Sequence, residues 1–244
     1  MVDLHSHIIY NVDDGPSSIE ESLKMINEAG KAGIRRIIAT PHFHEKVFEA
    51  ERAFERFDEL KWRAYGLGVV LYMGNEIFSS PHVIDLIKSG RCLTLNNSKY
   101  VLLEFPFDAV PSYIFEVLNK FHSDGFIPII AHPERNKFFL SEHEVLKEFV
   151  EAGCLIQVDA GSITGVYGQH VKYLCRRLIK EHAVSFVASN AHFAEDYSDR
   201  YRKAYQTVKK WAGEEYTEKL FSDNAQKIID EESLNKIKKE MANL

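Results

Sequence analysis

Short continuous apolar runs alternate along this chain with segments whose apolar residues recur at helical spacing. The runs lie near residues 2–4, 35–39, 69–73, 100–104, 127–131, 155–158 and 184–188, each the length of a buried strand. Between the first two, Pro16-Ser17-Ser18 opens a segment with Ile19, Leu23, Ile26 and Ala29 on one face. Glu20 and Glu21 sit in its first turn, and Gly33 ends it. Residues 50–66 carry Phe54, Phe57 and Leu60 on one face of a charged helix. Residues 81–88 start on a proline suited to a first helical turn. Residues 111–122, 141–152 and 169–182 repeat the alternation, and Ser141-Glu142-His143-Glu144 reads as a capping box. Beyond Arg200 the chain reads as helical, with residues 224–229 as a last packing helix and a charged, frayed end after about 231. Strands separated by helices pair in parallel through right-handed crossovers. With no linker or low-complexity run, the expectation is one α/β domain over residues 1–244, built as a seven-stranded barrel. The alternative, an open doubly wound sheet, gathers side chains only from the strands at its switch point.

The residues directly after six of these seven runs narrow the chemistry. Val2-Asp3-Leu4 leads into His5-Ser6-His7, residues 34–39 into Thr40-Pro41-His42, and residues 69–73 into Gly74-Asn75-Glu76. Residues 101–103 lead into Glu104, residues 127–131 into His132, and residues 184–188 into Ser189-Asn190-Ala191-His192. Parallel strands that end at one barrel rim bring such side chains to a common mouth. The two imidazoles of His5-Ser6-His7 share a side of an extended backbone. Neutral imidazoles mixed with carboxylates suit Mn²⁺, Fe²⁺ or Zn²⁺ rather than Ca²⁺, and a carboxylate such as Glu76 can bridge two ions. The pattern is that of a multinuclear metal hydrolase. His82, His122, His143, His170 and His182 fall within or at the ends of helices as surface or capping residues, and His44 reads as a solvated neighbour of the ligands.

Composition removes other functions. A net charge of −6 and the lack of a basic stripe argue against nucleic-acid binding. The 45% hydrophobic and 27% charged content fills the core of one large soluble domain. Three scattered cysteines, Cys92, Cys154 and Cys175, without a C-x-x-C pair, fit buried thiols in a reducing compartment. A cysteine phosphatase needs an arginine closing the loop after its thiolate, but the corresponding positions hold Ser98, Ala160 and Glu181. The N-terminus has no signal-peptide pattern, and no apolar window approaches the ~18 residues of a membrane span. The expected location is cytoplasmic.

The segments DLHSHI, VDDGP, IIATPH, GNEI, TLNNSKYVLLEFPF, IPIIAHPERN and VASNAH, spread from residue 3 to residue 192, resemble the polymerase and histidinol phosphatase family. More narrowly, the chain is similar to bacterial manganese-dependent protein-tyrosine phosphatases encoded with capsule and exopolysaccharide machinery; LEFPF and AHPERN are characteristic of that branch. The resemblance implies a distorted seven-stranded β/α barrel with three divalent ions at its mouth, Mn²⁺ foremost and Fe or Zn as alternatives. On the matched positions, His5 and His7 hold one ion with residue 190, and Glu76 bridges to a second completed by Glu104 and His132. Asp14, or alternatively Asp13, holds the third with His42 and His192. Arg135 matches an arginine that grips the phosphate, and His42 and His192 stand with it among the catalytic residues. The implied reaction is hydrolysis of phosphotyrosine by metal-activated water, without a phosphoenzyme. The implied partner is the tyrosine-rich tail of a cognate kinase controlling polysaccharide export. Rival functions are another phosphoesterase of the same family, acting on histidinol phosphate or nucleotides, and a non-catalytic phosphotyrosine-binding regulator. Two departures stand out. Asn190 replaces the branch's aspartate, so that Asn190→Asp is expected to raise metal affinity and turnover. Phe193 and Tyr197 replace an asparagine and the region of a second phosphate-binding arginine, for which Arg200 and Arg202 are the nearest substitutes.

Overall fold

The computed structural model describes residues 1–45 and 47–231. Among these, β1 (Val2–Ser6), β2 (Arg36–Ala39) and β4 (Val70–Met73) form one parallel ladder. A second joins β3 (His42–Phe43), β5 (Glu76–Phe78), β6 (Tyr100–Glu104), β7 (Ile127–Ala131), β8 (Leu155–Asp159) and β9 (Phe186–Ala188). Two of the seven expected strands, at 35–39 and 69–73, are thus each followed by a short further strand, β3 and β5. Pro41 interrupts one and Gly74-Asn75 the other, yet Gly74 N donates to Ala39 O (2.9 Å) and Glu76 N to Pro41 O (3.3 Å) across the breaks. The parallel positions therefore follow each other in a circuit back to β1. Asn190 N donates to His5 O and His7 N to Ala191 O, both at 2.9 Å. This seam is one isolated bridge, Ser6 to Ala191, rather than a ladder, so the expected distorted barrel is a seven-position circuit joined at its seam by a single bridge.

Helices cover the outside. In α1 (Ile19–Lys31), Ser18 is the N-cap, its Oγ accepting from Glu21 N (3.3 Å) while Glu21 Oε2 accepts from Ser17 N (2.7 Å). The same helix buries Met25, Ile26 and Ala29. The helices α2 (Ala50–Arg63), α3 (Val83–Lys88) and α4 (Ile114–Ser123) fall within a few residues of expectation. The capping box at Ser141 does not form. Asn136 caps α5 (Lys137–Ser141), accepting from Phe138 N and Phe139 N, so Ser141 closes a helix instead of opening one. The Ser141 hydroxyl donates back to Lys137 O and Phe138 O, and α6 (Val145–Glu151) starts after Glu144 without a side-chain cap. A five-residue α7 (Ala160–Thr164) and then α8 (Gln169–Lys180) follow β8. A π-helical turn at Asp196–Tyr201 leads into α9 (Arg202–Ala212) and α10 (Glu214–Glu218).

Strand side chains divide between two apolar clusters. Val2, Leu4, Ile38, Leu102, Ile129 and Phe186 form the inner one, and Ala225, Ile228 and Ile229 of the last described helical segment pack into it. Ile37, Leu103, Ile130, Val158 and Val187 meet the helices in the larger outer cluster. The frayed end expected after 231 lies outside the described residues. No described helix is long and apolar enough to cross a membrane.

Candidate metal centre

Where the inner cluster ends, the next inward positions are polar. His5 and His7 at the end of β1, Glu76 opening β5, Glu104 closing β6 and His132 after β7 converge at one mouth. Two of the turns are bent sharply inward. His132 (φ 32°) and Asn190 (φ 48°) both adopt the left-handed region directly after their strands. For non-glycine residues this costs on the order of 1–3 kcal/mol and persists where the surroundings enforce it.

Glu76 is the point of convergence. Its Oε2 lies 3.2 Å from His5 Nε2, 3.3 Å from His7 Nε2 and 3.0 Å from His42 Nδ1, and its Oε1 lies 2.8 Å from His132 Nε2. His5 Nε2 and His7 Nε2 are themselves 3.2 Å apart. His132 Nε2 and His42 Nδ1 also face Glu104, at 3.9 and 3.5 Å. Asp14 Oδ1 stands 3.1 Å from His192 Nε2 and 3.6 Å from His42 Nε2. Among the described residues, four overlapping groups could each hold a cation: His5, His7 and Glu76; Glu76, Glu104 and His132; His7, Asp14, His42 and His192; and His42, His44 and Glu104.

The imidazoles are braced from behind. His5 Nδ1 donates to Gln157 Oε1 (3.0 Å), His7 Nδ1 to Asp13 Oδ2 (2.7 Å), and His192 Nδ1 to Asn190 O (3.1 Å). Each bond fixes the tautomer and directs the Nε2 lone pair forward, as metal-ligating histidines are held. The same geometry separates the two aspartates. Asp13 is committed to His7, to the amide of His42 (3.0 Å) and to Gly15 N (3.1 Å), while Asp14 faces the centre. Gly15 is required in this loop, because a Cβ there would meet His7 O at 2.2 Å.

The donor set fits divalent cations. Imidazole lone pairs aimed at one another and at a buried carboxylate are unfavourable unless a positive charge lies between them. In the protein alone, protons supply that charge. Burial opposes it, yet Asp13 and Glu76 hold His7 well above the usual imidazole range. Burial likewise works against His132, but Asp159 and Glu76 raise it to about 9. Against its own burial, Glu76 is held well below the carboxylate range by His5 and by hydrogen bonds from His132 and His42. Burial and the charge of Glu76 raise Glu104.

Arg135 stands beside the centre. Its guanidinium lies 4.2 Å from the Tyr167 ring centroid and 4.8 Å from that of Phe107, and Nη1 donates to Asp159 Oδ2 at 3.1 Å. Asn190 does not extend a free amide. Its Nδ2 donates to Asp159 Oδ2 (3.0 Å), and its Oδ1 is buried without a hydrogen-bond partner. Arg200 is paired with Asp196, which also accepts from the amides of His192 and Phe193. Arg202 opens α9 and is exposed. Tyr197 is not at the mouth. It is buried, and its hydroxyl donates to Asp3 Oδ2 (2.9 Å) and Ser6 Oγ (2.7 Å), pinning the β1 seam. Phe193, 61% exposed, lines a cavity of about 130 Å³ with Pro16, Met25 and His192. His44 is exposed and stacks near Phe78 at 4.9 Å, although it also falls within reach of His42 and Glu104. The five helical histidines join no such group.

Gln157 and Asp159 are site residues that the sequence motifs did not flag. They alternate with apolar residues on β8, and both are fully buried. Two polar side chains two apart in a buried strand mark its inner face, so the signal was present. Glu134 backs them, accepting from Asp159 N at 2.9 Å, and burial with the charge of Asp159 raises its carboxyl to about 7.

Comparison with known proteins gives the chain's relatives. A family model described as capsular polysaccharide synthesis, CpsB/CapC, matches residues 1–230. The putative tyrosine-protein phosphatase CapC of Staphylococcus aureus is 36% identical over 217 residues, 84% of this chain and 85% of that protein. The tyrosine-protein phosphatase YwqE of Bacillus subtilis is 34% identical over 238 residues, 96% of this chain and 93% of that protein. A crystal structure from the pair YwqE of B. subtilis and CpsB of Streptococcus pneumoniae, described as unique metal-dependent tyrosine phosphatases, superposes with a TM-score of 0.89 at 33% identity. It covers 95% of both chains. A lactonase from Listeria monocytogenes shares the fold alone, with a TM-score of 0.57 at 10% identity.

Proposed function

This chain belongs to the CpsB/CapC family and is a metal-dependent tyrosine-protein phosphatase, and we propose that it works with three divalent cations, Mn²⁺ foremost. The observation that carries this reading is the set of imidazoles around Glu76, three of the site's histidines being tied back through Nδ1. In our assignment His5, His7 and Asn190 would hold one ion, and Glu76 would serve both it and a second held with Glu104 and His132. Asp14, His42 and His192 hold the third. When bound, the cations supply positive charge for the phosphoryl oxygens and the leaving phenolate, and acidify water for attack at phosphorus.

The protein's own groups do the rest. Arg135 presents a planar fork to the phosphate, a geometry suited to spread oxyanion charge. Phe107 and Tyr167 hold that fork flat and Asp159 tethers it, so little freedom is lost when phosphate binds. His42 and His192 have the most accessible imidazoles of the ligand set, at 23% and 21% of the side chain, and so meet the incoming ester first. Exposed Phe107, Tyr167 and Phe193 around the mouth suit an aryl ester better than a small alkyl phosphate. The cysteines take no part: all three are free and buried, and burial pushes the thiols of Cys92 and Cys154 to about 12.

We assign the substrate as a phosphotyrosine protein, and within that class the tyrosine-rich tail of a kinase that governs polysaccharide export. Residues 1–244 act as one domain in this scheme, in a cytoplasmic compartment where buried free thiols stay reduced. The test is hydrolysis by Mn²⁺-reconstituted protein of a phosphotyrosine peptide beside histidinol phosphate. Turnover confined to the peptide is expected, and preference for histidinol phosphate would overturn the substrate assignment.

A further inference from the structure

Residue 190, assigned above to the first ion site, carries no charge in this chain. The structure locates a carboxylate beside it. Asp159, at the end of β8, is fully buried, and its Oδ2 accepts the Asn190 Nδ2 at 3.0 Å. An amide that faces a carboxylate must present its NH₂, so Asp159 dictates the orientation of Asn190. The Asn190 Oδ1 is then the free end of the amide, buried and without a partner, with a lone pair available to a cation. Through its other oxygen Asp159 accepts Gln157 Nε2 (2.9 Å), and Gln157 Oε1 takes the Nδ1 proton of His5 (3.0 Å). One buried carboxylate thus sets two members of the same proposed ion site, Asn190 and His5.

Resting on the metal-centre assignment, we propose that Asp159 is a positioning residue that supplies, one hydrogen bond further out, the negative charge missing from position 190. The Asp159–Asn190 pair together does what a single carboxylate ligand would do. A carboxylate behind an amide N–H polarises that amide and makes its carbonyl oxygen a stronger donor to a cation, because hydrogen bonds in series reinforce one another. Partners that orient ligands from behind typically change metal affinity by about 10- to 100-fold. The consequence reverses the expectation from the sequence. Asn190→Asp alone sets a second carboxylate against Asp159 in a buried place, so the metal-free protein is destabilised rather than simply improved.

The test compares wild type, Asp159→Asn, Asn190→Asp and the double swap Asp159→Asn/Asn190→Asp. Each is stripped with chelator, titrated calorimetrically with Mn²⁺, and melted with and without the ion. Asp159→Asn should lose about tenfold or more in affinity for at least one ion. Asn190→Asp should melt below wild type in chelator and be restored by Mn²⁺. The swap keeps the pair and its net charge, and should return Mn²⁺ affinity to within a few-fold of wild type. If wild type itself binds no Mn²⁺, the metal-centre reading fails whatever the variants do. If wild type binds and Asp159→Asn binds equally, or the swap does not recover the lost affinity, the Asp159 proposal is overturned. Should Asp159→Asn fail to fold, the swap alone decides: folded and Mn²⁺-binding supports the pair, and an unfolded swap refutes it.

Discussion

Glu76→Gln tests the centre at the atom on which it converges. The side chain is fully buried, and its two oxygens lie 2.8 Å from His132 Nε2, 3.0 Å from His42 Nδ1, 3.2 Å from His5 Nε2 and 3.3 Å from His7 Nε2. Gln has nearly the same shape and volume, so packing is kept and one negative charge is lost. An amide NH₂ in that position also points a donor at any cation. Breaking a buried charged set by removing one member costs about 3–5 kcal/mol, and each 1.4 kcal/mol is about tenfold in an equilibrium. Because the group has no solvent exposure, salt and water do not screen the effect. Mn²⁺ affinity should therefore fall by roughly a hundred- to several-thousand-fold. Equilibrium dialysis against Mn²⁺ followed by elemental analysis reads the loss, with phosphotyrosine-peptide hydrolysis in parallel and circular dichroism to verify the fold. A folded Glu76→Gln protein with a full complement of Mn²⁺ and wild-type turnover would refute the convergence of ligands on this carboxylate.

Arg135→Lys keeps the charge but loses the planar fork stacked between Phe107 and Tyr167. A charge-assisted hydrogen bond contributes about 1.5–3 kcal/mol, so kcat/KM should fall about 10- to 150-fold at unchanged metal content, and an unchanged kcat/KM removes Arg135 from phosphate binding. Replacing Cys92, Cys154 and Cys175 together by Ala should leave hydrolysis intact and fully chelator-sensitive, since all three thiols are free and buried; activity that persists in excess chelator, or is lost with the thiols, contradicts a metal-assisted mechanism. The pH dependence rests on His132, raised in the folded protein from 6.5 to about 9. Its stabilising protonation is fully present below about 6.5 and is lost as pH rises through 9, so the melting temperature of chelated protein should drop across that window. Mn²⁺ must displace the same proton, so its affinity should climb over the same range; a flat profile in both measurements speaks against a proton-stabilised ligand cluster.

Strand positions were legible because each buried run is short and mostly apolar, and six of the seven are followed by a candidate donor. The short strands β3 and β5 beyond two of the runs were not, because Pro41 and Gly74-Asn75 break the ladder while neighbouring amides carry the pairing onward. The capping box at Ser141 failed for a local reason: Asn136, five residues earlier, seeds α5 and consumes the Ser141 hydroxyl at that helix's end. The five-residue α7 is too short to show a period. Asp13 and Asp14 are adjacent and chemically identical in sequence. They are told apart only by the turn at Gly15, which tucks Asp13 beneath His7 and His42 and leaves Asp14 facing His192.

Asn190 illustrates why a motif mismatch is hard to interpret one position at a time. Along the chain, an amide in place of a carboxylate is a lost charge, and the natural inference is a weakened site. In the folded protein the partner of that amide is a carboxylate 31 residues away in sequence, on a strand where it alternates with apolar residues and belongs to no motif. A metal centre responds to the charge and lone pairs delivered to a point in space, and a barrel delivers them from whichever strand ends there. Two adjacent strand ends can therefore exchange an amide and a carboxylate while the local field stays nearly the same, provided the two side chains remain hydrogen-bonded. That condition holds between β8 and the turn after β9, where Val158 pairs with Val187 and Asp159 with Ala188, which brings residue 190 over the end of β8. The departure at 190 is thus better described as a property of a pair than of a residue, and the double swap is the perturbation that separates the two descriptions.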